Sequence, residues 1–131
     1  MQKTTRDMKK NILVIEDDPD IQEYLDFLFK DRNLGLTFTS SGEEALEEIQ
    51  KGSRFDLLLL DLVLPGMQGE EFLDKALEVF EHEPPVILTS VDGERAKRQA
   101  SRKEVAGIFV KGNHGDELVK MTLDVLGSHQ E

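Results

Sequence analysis

The sequence predicts an α/β fold, (βα)5, in which helices flank both faces of a doubly wound, five-stranded parallel sheet. Two observations lead to this prediction. Short apolar runs alternate with amphipathic segments five times along the chain, which is typical of successive strand–helix units. The apolar runs are rich in branched side chains and lack polar alternation, as expected of parallel strands that are covered on both faces. The 131 residues suffice for one domain with a single core.

The first unit begins with an apolar run at residues 12–15, which predicts a buried strand. Asp18 and Pro19 then predict a turn and the start of a helix. Residues 33–35 are predicted to close this helix. Its apolar residues recur at the spacing of one helical face, and they are Ile21, Tyr24, Leu25 and Leu28.

The second unit combines a weak strand at residues 36–39 with a helix that starts at Ser41. Ser41 and Glu44 match a capping box, in which each side chain accepts a hydrogen bond from a backbone N–H at the helix start. Gly52 is predicted to end this helix. The remaining elements are predicted, in order, as a strand at 55–60, a helix at 72–80, a strand at 86–88, a polar helix within 92–104, a strand at 108–110 and a helix at 118–126.

Composition and charge argue against several classes of function. The chain has no cysteine, which excludes disulfides, thiol nucleophiles and cysteine-ligated zinc. The formal net charge of -11 repels phosphates and argues against nucleic acid binding. No segment has the roughly 20 apolar residues of a membrane span, and the polar start does not match a signal peptide. We expect a cytoplasmic protein with an N-terminal extension at 1–9, a domain at 10–127 and a short tail at 128–131.

Polar side chains follow the predicted strands at the place where open parallel sheets bind ligands, beyond the carboxyl ends of the strands. They are Glu16, Asp17 and Asp18 after the first strand, Asp61 after the third, Thr89 and Ser90 after the fourth, and Lys111 after the fifth. A single acid in such a position is as often a helix cap as a ligand. Acids, a threonine and a lysine at four strand ends together indicate a common site.

The chemistry of this set points to Mg²⁺ and a phosphoryl group. Clustered carboxylates repel one another without compensation, and Mg²⁺ prefers carboxylate, water and phosphate oxygens as ligands. A carboxylate can also act as a nucleophile and form an acyl phosphate. Threonine and lysine then suit the phosphoryl oxygens. Asp61, which ends the apolar run at 57–60, is the predicted phosphoacceptor.

The order and spacing of these residues resemble the receiver domain of two-component response regulators, over about residues 10–127. The matching segments are ILVIEDDPD at 12–20, LDLVLPGMQG at 60–69, PVILTS at 85–90 and VK at 110–111. The resemblance implies a flavodoxin-like fold with strand order 2-1-3-4-5. It also implies a chain that is either a stand-alone receiver or one excised from a longer regulator.

The resemblance further implies roles for individual residues. They are Asp61 as the phosphoacceptor, Thr89 and Lys111 as groups that bind the phosphoryl, and Glu16, Asp17, Asp61 and the backbone carbonyl of Val63 as Mg²⁺ ligands. The donor would be a phosphohistidine on a histidine kinase or a histidine phosphotransfer domain. Phosphorylation would switch the binding of a downstream protein, and the chain would be a monomer or a weak phosphorylation-dependent dimer. It would catalyse only its own phosphoryl transfer and dephosphorylation.

Three features depart from the family pattern. The family's aromatic position, three residues before the lysine, is Ile108, and the neighbouring Phe109 should point to the opposite face of its strand. Gly112 replaces a proline with a cis bond, and we expect a trans bond or a rearranged loop, because a non-proline cis bond costs about 2.5–4 kcal/mol. The fourth helix is basic, which fits either a solvated helix or a docking face for an acidic partner. The predicted switch and output surface comprises Ile108, Arg95, Arg98 and Arg102.

Two alternatives stay open. A degenerate receiver would bind a partner without phosphorylation, which Ile108 and Gly112 allow. A phosphatase-type enzyme would need an aspartyl nucleophile directly after the first strand, and the Asp-Pro-Asp at 18–20 is displaced from that place.

Val63 and Val91, two residues beyond the phosphoacceptor and the threonine, are apolar. They predict slow self-dephosphorylation because neither side chain can orient a water molecule.

Overall fold

The computed structural model describes residues 9–128, and the predicted extension at 1–9 and tail at 128–131 lie almost wholly outside them. The strands are β1 (Lys10–Ile15), β2 (Leu34–Thr39), β3 (Leu57–Asp61), β4 (Val86–Ser90) and β5 (Val105–Val110). The helices are α1 (Pro19–Leu28), α2 (Gly42–Gln50), α3 (Gly69–Val79), α4 (Gly93–Lys97) and α5 (Gly115–Ser128). The predicted alternation of strands and helices is therefore confirmed. None of these helices is long and apolar enough to cross a membrane.

The sheet has the strand order that the family resemblance implied. All five strands are parallel and lie in the order β2-β1-β3-β4-β5. The winding of the chain reverses between β1 and β3, and ligands bind beyond the strand ends at such switch points. The register sets Ile15 beside Leu60 and Asp61 beside Thr89. The residues that follow β1 therefore lie next to the end of β3.

Alternate side chains of the strands fill two cores, one on each face of the sheet. Leu58 and Leu60 pack on the face that is covered by α2, α3 and α4. Leu57 and Leu59 pack on the opposite face with α1 and α5. All five residues of β3 are buried, as its apolar run predicted. Burial of each leucine stabilises the fold by about 2 kcal/mol. β3 therefore holds its last residue, Asp61, in a fixed position.

Two helix starts are capped by the side chains that the sequence indicated. The Asp18 carboxylate accepts a hydrogen bond from the Asp20 N–H at 2.9 Å. Ser41 Oγ accepts one from the Glu44 N–H at 3.1 Å, which confirms half of the predicted capping box. The other half differs, because the Glu44 carboxylate accepts from the N–H of Ser40, one residue before the cap, at 2.6 Å.

The first helix ends earlier than predicted. It stops at Leu28 rather than near residues 33–35. Asp31 and Asn33 have positive φ values of 63° and 58°, so the chain already turns in this segment. Gly35 was predicted to close the helix but lies within β2, because its backbone pairs with β1.

The fourth helix is shorter than predicted, and the fifth strand is longer. α4 ends at Lys97, and turns and bends occupy residues 98–104. Ala96 is the buried residue of α4, so little apolar packing is available to stabilise further helical turns. β5 begins at Val105 rather than at residue 108, because Val105 pairs with Val86 of β4.

Candidate functional site

Three carboxylates meet at the carboxyl ends of β1 and β3. Glu16 and Asp17 follow β1, and Asp61 is the last residue of β3. One oxygen atom from each lies within 4.8 Å of the other two. Glu16 and Asp61 are only 3% and 5% exposed, whereas Asp17 is open to solvent. The fold thus brings the three acids together, with two of them buried and one exposed.

Lys111 lies between the two buried acids. Its Nζ donates hydrogen bonds to Asp61 Oδ2 and to Glu16 Oε1, both at 2.8 Å. Burial by itself lowers the pKa of Lys111, but the hydrogen bonds and charges of the two carboxylates outweigh burial, so the pKa is raised above its ordinary value. Lys111 is therefore a cation at neutral pH. It offsets part of the repulsion between Glu16 and Asp61.

The surroundings of Glu16 disfavour its ionised form. Burial raises the pKa of Glu16 above its ordinary value, and the negative charge of Asp61 adds to this effect. Hydrogen bonds from Lys111 and from the Asp18 N–H lower the pKa, but they do not cancel the effect of burial. A divalent cation beside Glu16 would favour the ionised carboxylate.

The loop between β3 and α3 holds the second oxygen of Asp61. The Val63 N–H donates to Asp61 Oδ1 at 3.0 Å. Gly69 begins α3 and packs against the start of this loop, since a Cβ atom there would lie 2.7 Å from Leu62 Cα and 3.1 Å from the Asp61 carbonyl oxygen. Gly66 turns the loop with a φ of 71°, a conformation that favours glycine. The two glycines therefore set the path of the chain beyond Asp61.

Thr89 occupies the adjacent strand end. It pairs with Asp61 in the register of β3 and β4, and it is 7% exposed. Val63 and Val91, the apolar residues beyond Asp61 and Thr89, are 49% and 73% exposed. Both valines therefore lie at the solvent side of the site.

The chain around Lys111 departs from the family pattern in the way the sequence indicated. The bond between Lys111 and Gly112 is trans, like the other peptide bonds of residues 9–128. Ile108 packs against the core on the α4 side of the sheet, and Phe109 belongs to the core on the other side. The expected trans bond and the opposite orientations of Ile108 and Phe109 are both confirmed.

The three arginines of the predicted output surface have different surroundings. Arg98 is exposed, and Arg102 pairs with Asp74 at 2.9 Å. Arg95 forms a bidentate pair with Glu70, in which Nε–Oε2 and Nη2–Oε1 are both 2.7 Å. Arg95 and Arg102 therefore form ion pairs with acidic residues of the same chain. An acidic partner that docked on Arg95 and Arg102 would have to displace Glu70 and Asp74.

Sequence reasoning missed the partners of Arg95. Its Nη2 also donates to the Leu62 carbonyl and to Gln68 Oε1, both at 3.0 Å. Glu70 lies 25 residues before Arg95, in the first turn of a helix where acidic residues are common because of the helix dipole. Nothing in the sequence therefore distinguished Glu70 as the partner of an arginine.

The donor set of the site suits a hard divalent cation. Three carboxylates supply oxygen ligands, and Mg²⁺ is commonly held by one or two carboxylates together with phosphate oxygens and water. Lys111 compensates only one of the three negative charges. The remaining charge is what a divalent cation would neutralise.

Known proteins resemble this chain in sequence and in structure. The family model of the response regulator receiver domain matches residues 12–123, a range that includes every site residue described above. The response regulator protein TrrA of Thermotoga maritima, solved in complex with Mg²⁺ and BeF, superposes with a TM-score of 0.77. It is 26% identical and covers 88% of this chain and 98% of its own.

Curated relatives match part of their own length. The transcriptional activator protein PfeR of Pseudomonas aeruginosa is 37% identical over 66% of this chain and 28% of PfeR. The DNA-binding response regulator MtrA of Mycolicibacterium smegmatis is 35% identical over 63% of this chain and 36% of MtrA. The matched region is therefore about a third of each of these two proteins.

Proposed function

Because the chain belongs to the family of response regulator receiver domains, we propose that it relays a signal by accepting a phosphoryl group on Asp61. The observation that supports this most directly is the contact between Asp61 and Lys111 beside two further carboxylates. The arrangement supplies a nucleophile, a neutralising cation and metal ligands at one place. Phosphoryl transfer depends mainly on such positioning and charge compensation.

In this proposal the Mg²⁺ site is formed by Glu16, Asp17, Asp61 and the backbone carbonyl of Val63. Of the two acids after β1, Asp17 is the direct ligand, and Glu16, which is hydrogen-bonded to Lys111, contributes its negative charge. Bound Mg²⁺ would neutralise and align the phosphoryl oxygens.

The reaction transfers a phosphoryl group from a phosphohistidine. A carboxylate oxygen of Asp61 attacks phosphorus, and the O–P bond forms as the P–N bond breaks. The imidazole, protonated beforehand by solvent on its other ring nitrogen, takes the electrons of the P–N bond and leaves as the neutral ring. Lys111, already bonded to Asp61, binds and neutralises the transferred oxygens. Thr89 lies beside Asp61 in the sheet and donates its hydroxyl to the same group. Neither residue forms a covalent bond, so both act by orientation and charge.

We propose a histidine kinase or a histidine phosphotransfer domain as the donor, and a downstream protein whose affinity changes on phosphorylation. MtrA is named as a DNA-binding regulator, but this chain spans about a third of its length. The net charge of -11 argues against nucleic acid contact by this domain itself. The proposed protein is cytoplasmic, and it is a monomer or dimerises weakly when phosphorylated.

The acyl phosphate on Asp61 should be long-lived. Hydrolysis needs a water molecule directed at phosphorus, and the exposed side chains beyond Asp61 and Thr89 are valines. Replacing Val63 with Asn and Val91 with Glu introduces groups that can hold such a water, so the half-life of the adduct should shorten. Intact mass followed over time after donor removal measures this half-life. Equal half-lives for the wild type and the double variant would contradict the proposal.

Intact mass also tests the phosphoacceptor. Wild-type protein is incubated with Mg²⁺ and acetyl phosphate or phosphoramidate, beside Asp61→Asn and the control Asp26→Asn, which alters an exposed acid of α1. We expect a labile phosphate adduct on the wild type and on the control, and none on Asp61→Asn. No adduct on the wild type would favour a degenerate, phosphorylation-independent receiver. Steady donor turnover that survives in Asp61→Asn would favour a phosphatase-type enzyme.

A further inference from the structure

Arg95 connects α4 with the loop that follows Asp61. We propose that Arg95 is a positioning residue that couples occupancy of the Asp61 site to the position of α4. The inference rests on the proposed function and concerns how occupancy of the same site affects α4. It assigns Arg95 a task within the chain instead of a contact with an acidic partner.

On the loop side, the guanidinium contacts three residues. It binds both oxygens of Glu70 at 2.7 Å, and it donates to the Leu62 carbonyl and to Gln68 Oε1 at 3.0 Å. Leu62 directly follows Asp61, so the Arg95 bond lies one residue from the phosphoacceptor. Gln68 in turn donates to the Leu64 carbonyl at 2.8 Å. Arg95 therefore holds the loop at its start and at its end.

On the helix side, Arg95 belongs to a short segment that starts next to Thr89. The Asp92 carboxylate accepts a hydrogen bond from the Arg95 N–H at 3.0 Å, and the Asp92 N–H donates to Ser90 Oγ at 3.0 Å. α4 is only five residues long, and Ala96 is its buried residue. Because Ala96 is the one buried residue of α4, the contacts of Arg95 add substantially to those that hold this helix in place.

The Arg95–Glu70 pair is stronger than an ordinary surface pair. The two side chains are 21% and 29% exposed, and the geometry is the bidentate fork that gives arginine–carboxylate pairs their specificity. The hydrogen bond lowers the pKa of Glu70 and raises the pKa of Arg95 from their ordinary values. Both shifts favour the charged pair over the working pH range.

Ile108, three residues before Lys111, explains why such a connection is needed. Ile108 packs in the same core as Ala96 of α4, and it has no polar atom that could follow a movement of Thr89. A rearrangement of the loop beyond Asp61 can reach α4 through Arg95, because Arg95 is part of α4 and bonds to Leu62 and Gln68 of the loop. Coupling of this kind is reciprocal, so loss of the connection should also change the affinity of the Asp61 site.

Hydrogen–deuterium exchange tests the coupling, with Mg²⁺ and beryllofluoride as the probe of the Asp61 site. The variants are Arg95→Gln, Glu70→Gln and the control Lys97→Gln. Lys97 lies on the same helix and makes only an exposed contact with Glu94, at 3.6 Å. In the wild type and the control, the probe should change exchange in residues 62–68 and in 92–100. In Arg95→Gln, the change in 92–100 should disappear, and the affinity for the probe should change by about fivefold or more, as typical couplings require.

The outcomes separate this inference from the proposed function. If the wild type does not bind the probe, the proposed function fails and the coupling fails with it. If every variant binds the probe equally well and shows the wild-type response in 92–100, the coupling is wrong while the proposed function stands. A loss in Lys97→Gln equal to that in Arg95→Gln would also overturn it, because any lost charge on α4 would then suffice. If Arg95→Gln does not fold, Glu70→Gln tests the connection in part. It removes the ion pair and leaves the bonds of Arg95 to Leu62 and Gln68, so the change in 92–100 should shrink, and an unchanged response would overturn the inference.

Discussion

Replacing Lys111 with Gln should destabilise the protein strongly when Mg²⁺ is absent. The ammonium lies 2.8 Å from carboxylate oxygens of both Glu16 and Asp61, and these acids are 3% and 6% exposed in their side chains. Without Lys111, two buried like charges face each other within 4.8 Å. At an effective dielectric constant of about 20, such a pair repels by at least about 3 kcal/mol.

The expected loss in free energy of unfolding is about 3 kcal/mol, the lower end of the range for removing one partner of a buried ion pair. The lower end applies because Glu16 can take up a proton: its pKa is already raised by burial, and loss of the lysine raises it further. For a domain of this size, the corresponding fall in melting temperature is about 10 °C. The matched control is Lys120→Gln, whose partner Asp124 is 67% exposed, and it should cost no more than about 0.5 kcal/mol.

The assay is urea denaturation followed by circular dichroism, with and without saturating Mg²⁺. Mg²⁺ should stabilise Lys111→Gln more than it stabilises the wild type, because the cation replaces the missing positive charge and no longer meets a neighbouring ammonium. Equal stabilities of wild type and Lys111→Gln without Mg²⁺ would refute the electrostatic account of the site. A deficit that Mg²⁺ does not reduce would refute the view that the three carboxylates form a cation site.

Two further predictions concern the loop beyond Asp61 and its connection to α4. Gly69→Ala should lower the free energy of unfolding by about 1–3 kcal/mol, because the added Cβ meets the Leu62 backbone at 2.7 Å; urea denaturation measures this, and an unchanged midpoint would contradict the close approach. The folded pKa of Glu70 is lowered from 4.5 by its hydrogen bond with Arg95, so the pair adds stability above that pH and loses it as the pH falls through the folded pKa. The stability difference between wild type and Glu70→Gln, measured across acidic pH, should therefore shrink below pH 4.5, and a constant difference would argue against the ion pair.

Much of the fold could be predicted because its signals are local. The leucines of β3 are apolar on both faces, and only a strand covered by helices on both sides buries such a run. The site followed from the same pattern, since parallel strands bring their carboxyl ends to one edge of the sheet. The sequence alone therefore predicts that Asp61 and Lys111, which are 50 residues apart in the chain, lie close together in the fold.

The features that escaped prediction depend on contacts between distant segments. The length of α4 is limited by its packing, and a polar segment gives little indication of where packing ends. The Arg95–Glu70 pair joins two helices whose relative position follows from the whole sheet, and each residue alone resembles an ordinary solvated charge. The end of α1 was misplaced for a related reason, because the pairing of Gly35 with β1 outweighs its preference for a helix terminus.

Chemical trapping of the phosphorylated residue tests the central claim most directly. After incubation with Mg²⁺ and phosphoramidate, borohydride reduces an aspartyl phosphate to the alcohol homoserine, and peptide mass spectrometry identifies the position that changed. The account predicts homoserine at Asp61, in amounts that depend on Mg²⁺ and fall sharply in Asp17→Asn. Homoserine at Asp17 or at an acid outside the cluster, or an unmodified Asp61 in a protein that carries phosphate, would contradict it.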